Sequence, residues 1–135
     1  MLEATIIIKP RREKPIENRH PWVFSGAIRE VDGYPQPGDI VAVRRHDGLL
    51  LGRGYYNPHS QIRVRMLTWE DEVIDAAWWR DMLAQAISRR EGLPGWNDDS
   101  EQMGCRLVNA ENDYLPGLVV DRYGHWLVLQ ALTLG

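Results

Sequence analysis

One cysteine, one phenylalanine and no apolar run near the ~20 residues a membrane helix needs set the first limits on this 135-residue chain. The lone thiol, Cys105, forbids an internal disulfide, which suits a reducing compartment. The first residues lack the basic stretch and long apolar segment of a secretory signal, so a cytoplasmic location is expected. His20, His46, His59 and His125 have no metal-ligand spacing and no cysteine pair to join them, so no metal site is expected. Carboxylates are plentiful in the second half, but none lies in an apolar stretch that would tune an acid or base. Cys105 sits in no nucleophile-elbow pattern and reads as a buried or half-buried thiol. No catalytic constellation is present in this chain.

What is present is unevenly placed. The net charge is −3, from 16 Lys/Arg and 19 Asp/Glu. Residues 1–67 hold 11 of the basic residues against 7 acidic ones, and residues 68–135 hold the other 5 against 12. That asymmetry reads as a basic module followed by an acidic one, the first suited to nucleic acid. Two solvated surfaces of opposite sign are the plainer alternative. Six tryptophans supply large groups for packing or stacking.

The centre of the first module is residues 48–69. Residues 49–56 read as an apolar, aromatic strand, Asn57-Pro58-His59-Ser60 as a turn, and residues 61–69 as an alternating strand. In it Ile62, Val64 and Leu67 fall among Arg63, Arg65 and Thr68, with a slip near Met66 that suits a bulge. Upstream, residues 4–9 form a strand ended by Pro10, followed by the basic loop Arg11-Arg12-Glu13-Lys14-Pro15. Residues 16–19 suit one helical turn with Pro15 at its start. Residues 22–24, 27–31 and 39–45 read as strands, and Asp47-Gly48 as a hairpin turn. Many short strands in about 69 residues suggest a small β-barrel.

Glu70-Asp71-Glu72 marks a break. Residues 75–91 then form the long helix, with Asp75 as its N-cap and Gly92 just past its end. Trp79, Leu83, Ala86 and Ile87 repeat at helical spacing and read as a packing face, and Arg89-Arg90 suits the helix dipole. Residues 93–102 are a polar loop. Strands follow at 106–110, 118–121 and 126–132, so the second module reads strand, helix, strand, strand, strand, borrowing its first strand from residues 61–69.

A binding surface is legible in the basic module. Arg11, Arg12, Lys14 and Arg19 cluster before Trp22, with Arg44-Arg45 and Arg63/Arg65 able to join them across a barrel. Lysine and arginine meet phosphates, and exposed aromatics stack on unpaired bases. Trp22 and Phe24 are read first as core, and of Tyr55 and Tyr56, on opposite faces, one is expected outward. Gly52-Arg53-Gly54 looks superficially like a nucleotide-cofactor loop, but Tyr55-Tyr56-Asn57-Pro58 cannot open the helix such a loop needs. Those glycines instead suit a bulge or a close backbone approach.

Three segments carry a family resemblance. They are His20-Pro21-Trp22-Val23-Phe24-Ser25-Gly26-Ala27-Ile28, the run from Arg53 through Asn57-Pro58-His59-Ser60-Gln61 to Arg65, and Leu115-Pro116-Gly117-Leu118-Val119-Val120-Asp121-Arg122-Tyr123-Gly124. Together, and in this order, they closely resemble the first part of the bacterial class I ribosomal RNA large-subunit cytosine-5 methyltransferases. The resemblance covers nearly all of the chain. It implies an α+β architecture: a PUA-like small β-barrel at 1–69, then a strand-strand-helix-strand-strand domain at 70–135 that shares strand 61–69. The family's third, Rossmann-like methyltransferase domain has no counterpart here. Its catalytic cysteine motifs and adenosylmethionine loop lie in that domain, and Cys105 matches none of them.

The resemblance implies that the intact protein transfers a methyl group from S-adenosylmethionine to C5 of a cytosine, while this portion, with no cofactor of its own, holds ribosomal RNA. Arg11, Arg12, Lys14, Arg19, Arg44 and Arg63 are the candidate RNA contacts, on charge alone. Trp22, Gly26, Pro116, Gly117 and Gly124 read as structural. Tyr114 stands where the family usually carries glycine, which puts the turn geometry there in question. Two other readings remain open: a free-standing RNA-binding protein, and an interaction or homodimerisation module with an edge strand at 126–134.

Overall fold

The computed structural model describes residues 2–94, 96 and 104–135, arranged as two compact units, residues 1–73 with 134–135 and residues 74–133. The first unit contains β1 (Thr5–Ile8), α1 (Lys14–Glu17), β2 (Trp22–Phe24), a 3₁₀ turn (Ser25–Ala27), β3 (Ile28–Asp32), β4 (Ile40–Arg45), β5 (Leu50–Tyr56) and β6 (Ile62–Thr68). These strands form one curled six-stranded sheet, ordered β2-β6-β5-β4-β1-β3. Only β1 and β4 run parallel; the other neighbours are antiparallel. Ile6, Ile8, Ile16, Val23, Val41, Val43, Val64 and Met66 meet in its core. Most are β-branched and recur at every second position, as a sheet with one covered face requires.

The slip near Met66 is a bulge. Arg53 faces Thr68 while Gly54 faces Met66, so Leu67 is the extra residue on β6. Both Met66 and Leu67 are buried as a result. The glycines of β5 allow the close approach: a Cβ on Gly54 would lie 2.2 Å from the Arg65 carbonyl oxygen, and one on Gly52 2.1 Å from that of Thr68. The Asp47-Gly48 hairpin forms as read, with Gly48 at φ +95°.

Tyr55 and Tyr56 do point to opposite faces, yet both are buried, which corrects the expectation of one outward ring. Tyr56 enters the core, and the Gly135 backbone lies directly on the Tyr55 ring. Alternation assigns two residues to two faces but does not say which faces are covered. Glu70-Asp71-Glu72 also belongs to the first unit. Arg53 donates to Asp71 at 2.9 Å, to the Glu72 carbonyl at 3.1 Å and to Glu3 at 2.7 Å, tying three segments together.

The second unit holds α2 (Ala76–Ser88), β7 (Gly104–Asn109), a 3₁₀ turn (Ala110–Asp113), β8 (Leu118–Tyr123) and β9 (Trp126–Ala131). Asp75 caps α2 as expected, accepting from the Trp78 N–H at 2.9 Å. Trp78 and Ala86 are its buried residues. Among the described residues the sheet is antiparallel, ordered β7-β8-β9. The first strand read for this module, residues 61–69, is β6; its two hydrogen-bonding edges are taken by β2 and β5 in the first sheet. The polar loop read at 93–102 lies largely outside the described residues. All of β9 is exposed, including Trp126, Leu127, Val128 and Leu129. Among the described residues, no helix is long and apolar enough to cross a membrane, and no group of three or more His, Cys, Asp or Glu could hold a metal ion.

Candidate nucleic-acid interface

The basic segment between β1 and β2 is shaped by two left-handed arginines. Lys9-Pro10-Arg11-Arg12 closes a tight turn in which the Arg12 N–H donates to the Lys9 carbonyl at 3.1 Å. Pro10 occupies the second position and Arg11, at φ +70°, the third, where a type II turn favours glycine. After α1 the Arg19 N–H donates to the Ile16 carbonyl and the His20 N–H to that of Pro15, both at 2.9 Å. This pair is a Schellman motif, and Arg19, at φ +64°, fills the position where glycine is usual. Ile16, 2% exposed, anchors α1 in the core, and Lys14, Asn18 and Arg19 are left at the surface.

An open depression is lined by Lys14, Pro15, Asn18, Arg19, His20 and Pro21. A second hollow shares Pro15 and adds Arg12, Trp22 and Phe24. The rings of His20, Trp22 and Phe24 form one cluster. His20 meets Trp22 edge-on at 6.0 Å, and Trp22 meets Phe24 edge-on at 6.4 Å. The Trp22 N–H donates to His20 Nδ1 at 3.1 Å, fixing the imidazole. The expectation that Trp22 and Phe24 fill the core is corrected. Phe24 is 47% exposed and Trp22 half-buried, while Val23 between them is 1% exposed. On a three-residue strand one face is covered, and valine takes it.

Two cation–π contacts frame the cluster: the Arg65 guanidinium lies 5.4 Å from the Trp22 ring, and that of Arg19 5.6 Å from the Trp69 ring. Trp69 is itself held by its Nε1–H, which donates to the Ile16 carbonyl at 2.8 Å. Arg19 also stands 3.5 Å from Glu70, both side chains well exposed.

Of the six candidate contacts, Arg12, Lys14 and Arg19 line these two hollows. Arg11 is exposed in the adjoining turn. Arg63 is the extra residue of a second bulge in β6, opposite the Val23–Phe24 step, and its Nε donates to the Ser60 carbonyl at 3.1 Å. Arg44 is not brought to the cluster by the sheet. It lies on β4, which β5 separates from β6, and it donates to the Gly48 carbonyl at 3.0 Å. Its neighbour Arg45 is bound to Asp47 and Glu17, and its guanidinium holds the Asp47 carboxyl well below the usual carboxylate range. Charge alone missed His20 and Asn18. Arg65, read beside Arg63 as able to join the surface, alternates with buried Val64 and Met66 and so faces outward with Trp22.

Elsewhere, Cys105 is half-buried, as read from the sequence. The Leu115-Pro116-Gly117 segment is a structural turn: Gly117 has φ +80°, and a Cβ there would strike Thr133 at 2.2 Å.

Residues 6–69 match the family described as a PUA-like domain. Over 132 residues the chain is 46% identical to the ribosomal RNA large subunit methyltransferase I of Shewanella denitrificans, covering 96% of this chain and 32% of that protein. The protein of the same name from Salmonella arizonae is 38% identical over 137 residues, with the same coverage of each. The chain therefore spans about a third of the length of the curated relatives it matches. Among solved structures, a putative SAM-dependent methyltransferase from Streptococcus mutans superposes with a TM-score of 0.76 at 13% identity, over 96% of this chain and 33% of that one, a likeness of fold. The curled sheet with its α1–β2 basic and aromatic surface is thus a PUA-like domain, in a chain similar along nearly all its length to one part of the ribosomal RNA large subunit methyltransferases I.

Proposed function

We propose that this chain is the RNA-recognition portion of an S-adenosylmethionine-dependent methyltransferase that modifies C5 of a cytosine in large-subunit ribosomal RNA. The observation that carries the reading is the grouping of Arg12, Lys14 and Arg19 around the outward rings of His20, Trp22 and Phe24. Phosphates meet the cations and fix register, while aromatic faces offer stacking that duplex RNA cannot use. The names of the similar proteins supply the reaction class and the ribosomal substrate. The chemistry then falls to the rest of a longer protein, with this portion presenting the target strand.

The test is binding of a labelled large-subunit ribosomal RNA fragment across a salt series, with S-adenosylmethionine titrated separately. Affinity is expected to fall linearly with salt on logarithmic axes. Arg12→Ala with Lys14→Ala is expected to flatten that slope by about 1.4, at roughly 0.7 per lost phosphate contact to single-stranded RNA. Absence of RNA binding at low salt would overturn the reading, as would cofactor binding by this chain alone.

A second reading is favoured by one observation, the exposed apolar β9. It presents Trp126, Leu127, Val128 and Leu129 to solvent and, among the described residues, sits at a sheet edge. Such a strand pairs readily, and a second copy of the chain supplies a matching antiparallel edge. Concentration-dependent sedimentation that Val128→Lys abolishes is the expected sign of it.

A further inference from the structure

We infer that the hollow between α1 and β2 receives one unpaired nucleobase of any identity, and that Gly26 is the residue that leaves it room. The inference rests on the RNA-binding reading above and deepens it, by naming the form of RNA the surface takes and the place where a base enters.

Gly26 lies in the 3₁₀ turn after β2 and borders the hollow. The two ordinary reasons for a glycine are missing there. Its φ is outside the left-handed region, unlike that of Gly48 or Gly117, so the turn does not require it. A Cβ on Gly26 would meet no heavy atom within 4 Å among the described residues, whereas one on Gly54 would strike backbone at 2.2 Å. Packing therefore does not require it either. A side chain at this position would have only open space before it, and glycine leaves that space to a ligand.

The lining says what kind of ligand. The hollow measures about 140 Å³, below the roughly 300–1,000 Å³ of a pocket for a whole small molecule, which suits one planar ring system. Ile16 and Val23 supply an apolar base, and Trp22 and Phe24 stand at 83° to one another. A flat group stacked on one ring stands at right angles to the other, the two arrangements that aromatic rings favour. Arg12 lines the same hollow, and among the described residues its side chain makes no hydrogen bond or ion pair. Lys14 and Arg19 border the depression that shares Pro15 with it. An apolar slot flanked by cations matches a base with phosphates on either side; an apolar peptide would leave Arg12 and Lys14 unmatched. A base within a helix has both faces covered by its neighbours, so only a splayed strand can supply one. These walls meet the face of a base, which all four bases possess, so the slot selects unpaired RNA and not a sequence.

The measurement is fluorescence anisotropy of the whole chain with a labelled single-stranded RNA of mixed sequence and with a blunt RNA duplex of equal length, at one salt concentration. Gly26→Leu is expected to weaken single-strand binding roughly tenfold or more, the worth of one stacked base. Duplex binding, which rests on the cations, is expected to change far less. Gly26→Ala, which takes up less of the space, is expected to give a smaller loss of the same kind. Phe24→Ala removes a wall and reads the same base without touching the turn. Adding it to Gly26→Leu is expected to cost little more than either change alone, since both act on one base. Replacing a glycine whose φ suits any residue does not destabilise, so the unfolding temperature is expected to hold in both Gly26 variants. Single-strand binding that survives Gly26→Leu and Phe24→Ala, or equal losses on duplex and single strand, overturns this inference and leaves RNA recognition standing. Absence of binding to every RNA overturns both.

Discussion

Three large side chains stand where glycine would be least strained: Arg11 at φ +70°, Arg19 at φ +64° and Tyr114 at φ +57°. Left-handed backbone costs a side-chain-bearing residue on the order of 1 kcal/mol. Among the described residues the Arg11 side chain makes no hydrogen bond or ion pair that would offset that cost, whereas an exposed cation at a turn tip is well placed for phosphate. Arg11→Gly is therefore expected to act in opposite directions on two observables. Urea unfolding should show a gain of about 0.5–1 kcal/mol, and RNA affinity should fall with a salt slope smaller by about 0.7. A loss of stability would show that Arg11 serves the fold. Tyr114 gives the matching case away from the basic surface. The sequence singled it out as a departure from the family's glycine, and the structure puts it in the left-handed region, at the end of the Ala110–Asp113 turn. Tyr114→Gly is expected to stabilise the second unit by about 1 kcal/mol, read as a higher unfolding temperature.

At the scale of elements, Asp113 joins α2 to the sheet of the second unit. It is buried, and it accepts from Arg89 Nη2 at 2.9 Å, from Arg90 through both Nη atoms at 2.9 and 2.6 Å, and from the Asn109 N–H at 2.6 Å. Burial pushes its carboxyl upward, but these donors outweigh burial and hold it down to about 2, against 3.8 for an ordinary aspartate. A depressed carboxyl stabilises the fold above its unfolded pKa and loses that contribution as pH falls through its folded one. About 2 kcal/mol should thus vanish between roughly pH 4 and pH 2. Asp113→Asn is expected to cost about 3 kcal/mol at neutral pH and to flatten the acid limb of the stability curve; an unchanged acid limb would place the acid sensitivity elsewhere. The local parts of this element were legible. Asp75 announced the cap of α2, Arg89-Arg90 announced cations at its end, and the alternation of Ile62 and Val64 with Arg63 and Arg65 announced β6. The partner of those arginines was not legible, because Asp113 lies 23 residues beyond Arg90 and only tertiary packing brings it there. The facing of Trp22 and Phe24 was hidden for a related reason: alternation groups residues by face without naming the buried face.

The whole molecule changes how its charge must be read. Divided after residue 67, the chain looks strongly basic and then strongly acidic. The folded units divide it otherwise, because Glu70, Asp71 and Glu72 belong with the first sheet. That unit carries 11 Lys/Arg and 10 Asp/Glu, and the second carries 5 and 9. A unit with a net charge of +1 does not attract RNA by its total, so recognition must come from where its cations lie. Several are already matched: Arg45 to Asp47 and Glu17, and Arg53 to Glu3 and Asp71. Arg19 is the one at the depression with an acidic competitor, Glu70 at 3.5 Å. An exposed pair of this kind is worth at most about 1 kcal/mol, which bounds what its removal can release. Glu70→Gln is expected to tighten RNA binding by roughly two- to fivefold at low salt, with unfolding midpoint unchanged. Glu30→Gln adds the same charge on β3, the strand at the other edge of the sheet order from β2. Screening confines a surface charge to about 10 Å at 0.1 M salt, so the Glu30 variant should move affinity much less. Equal effects from the two variants would mean that net charge governs binding. A gap between them would locate recognition at the α1–β2 surface.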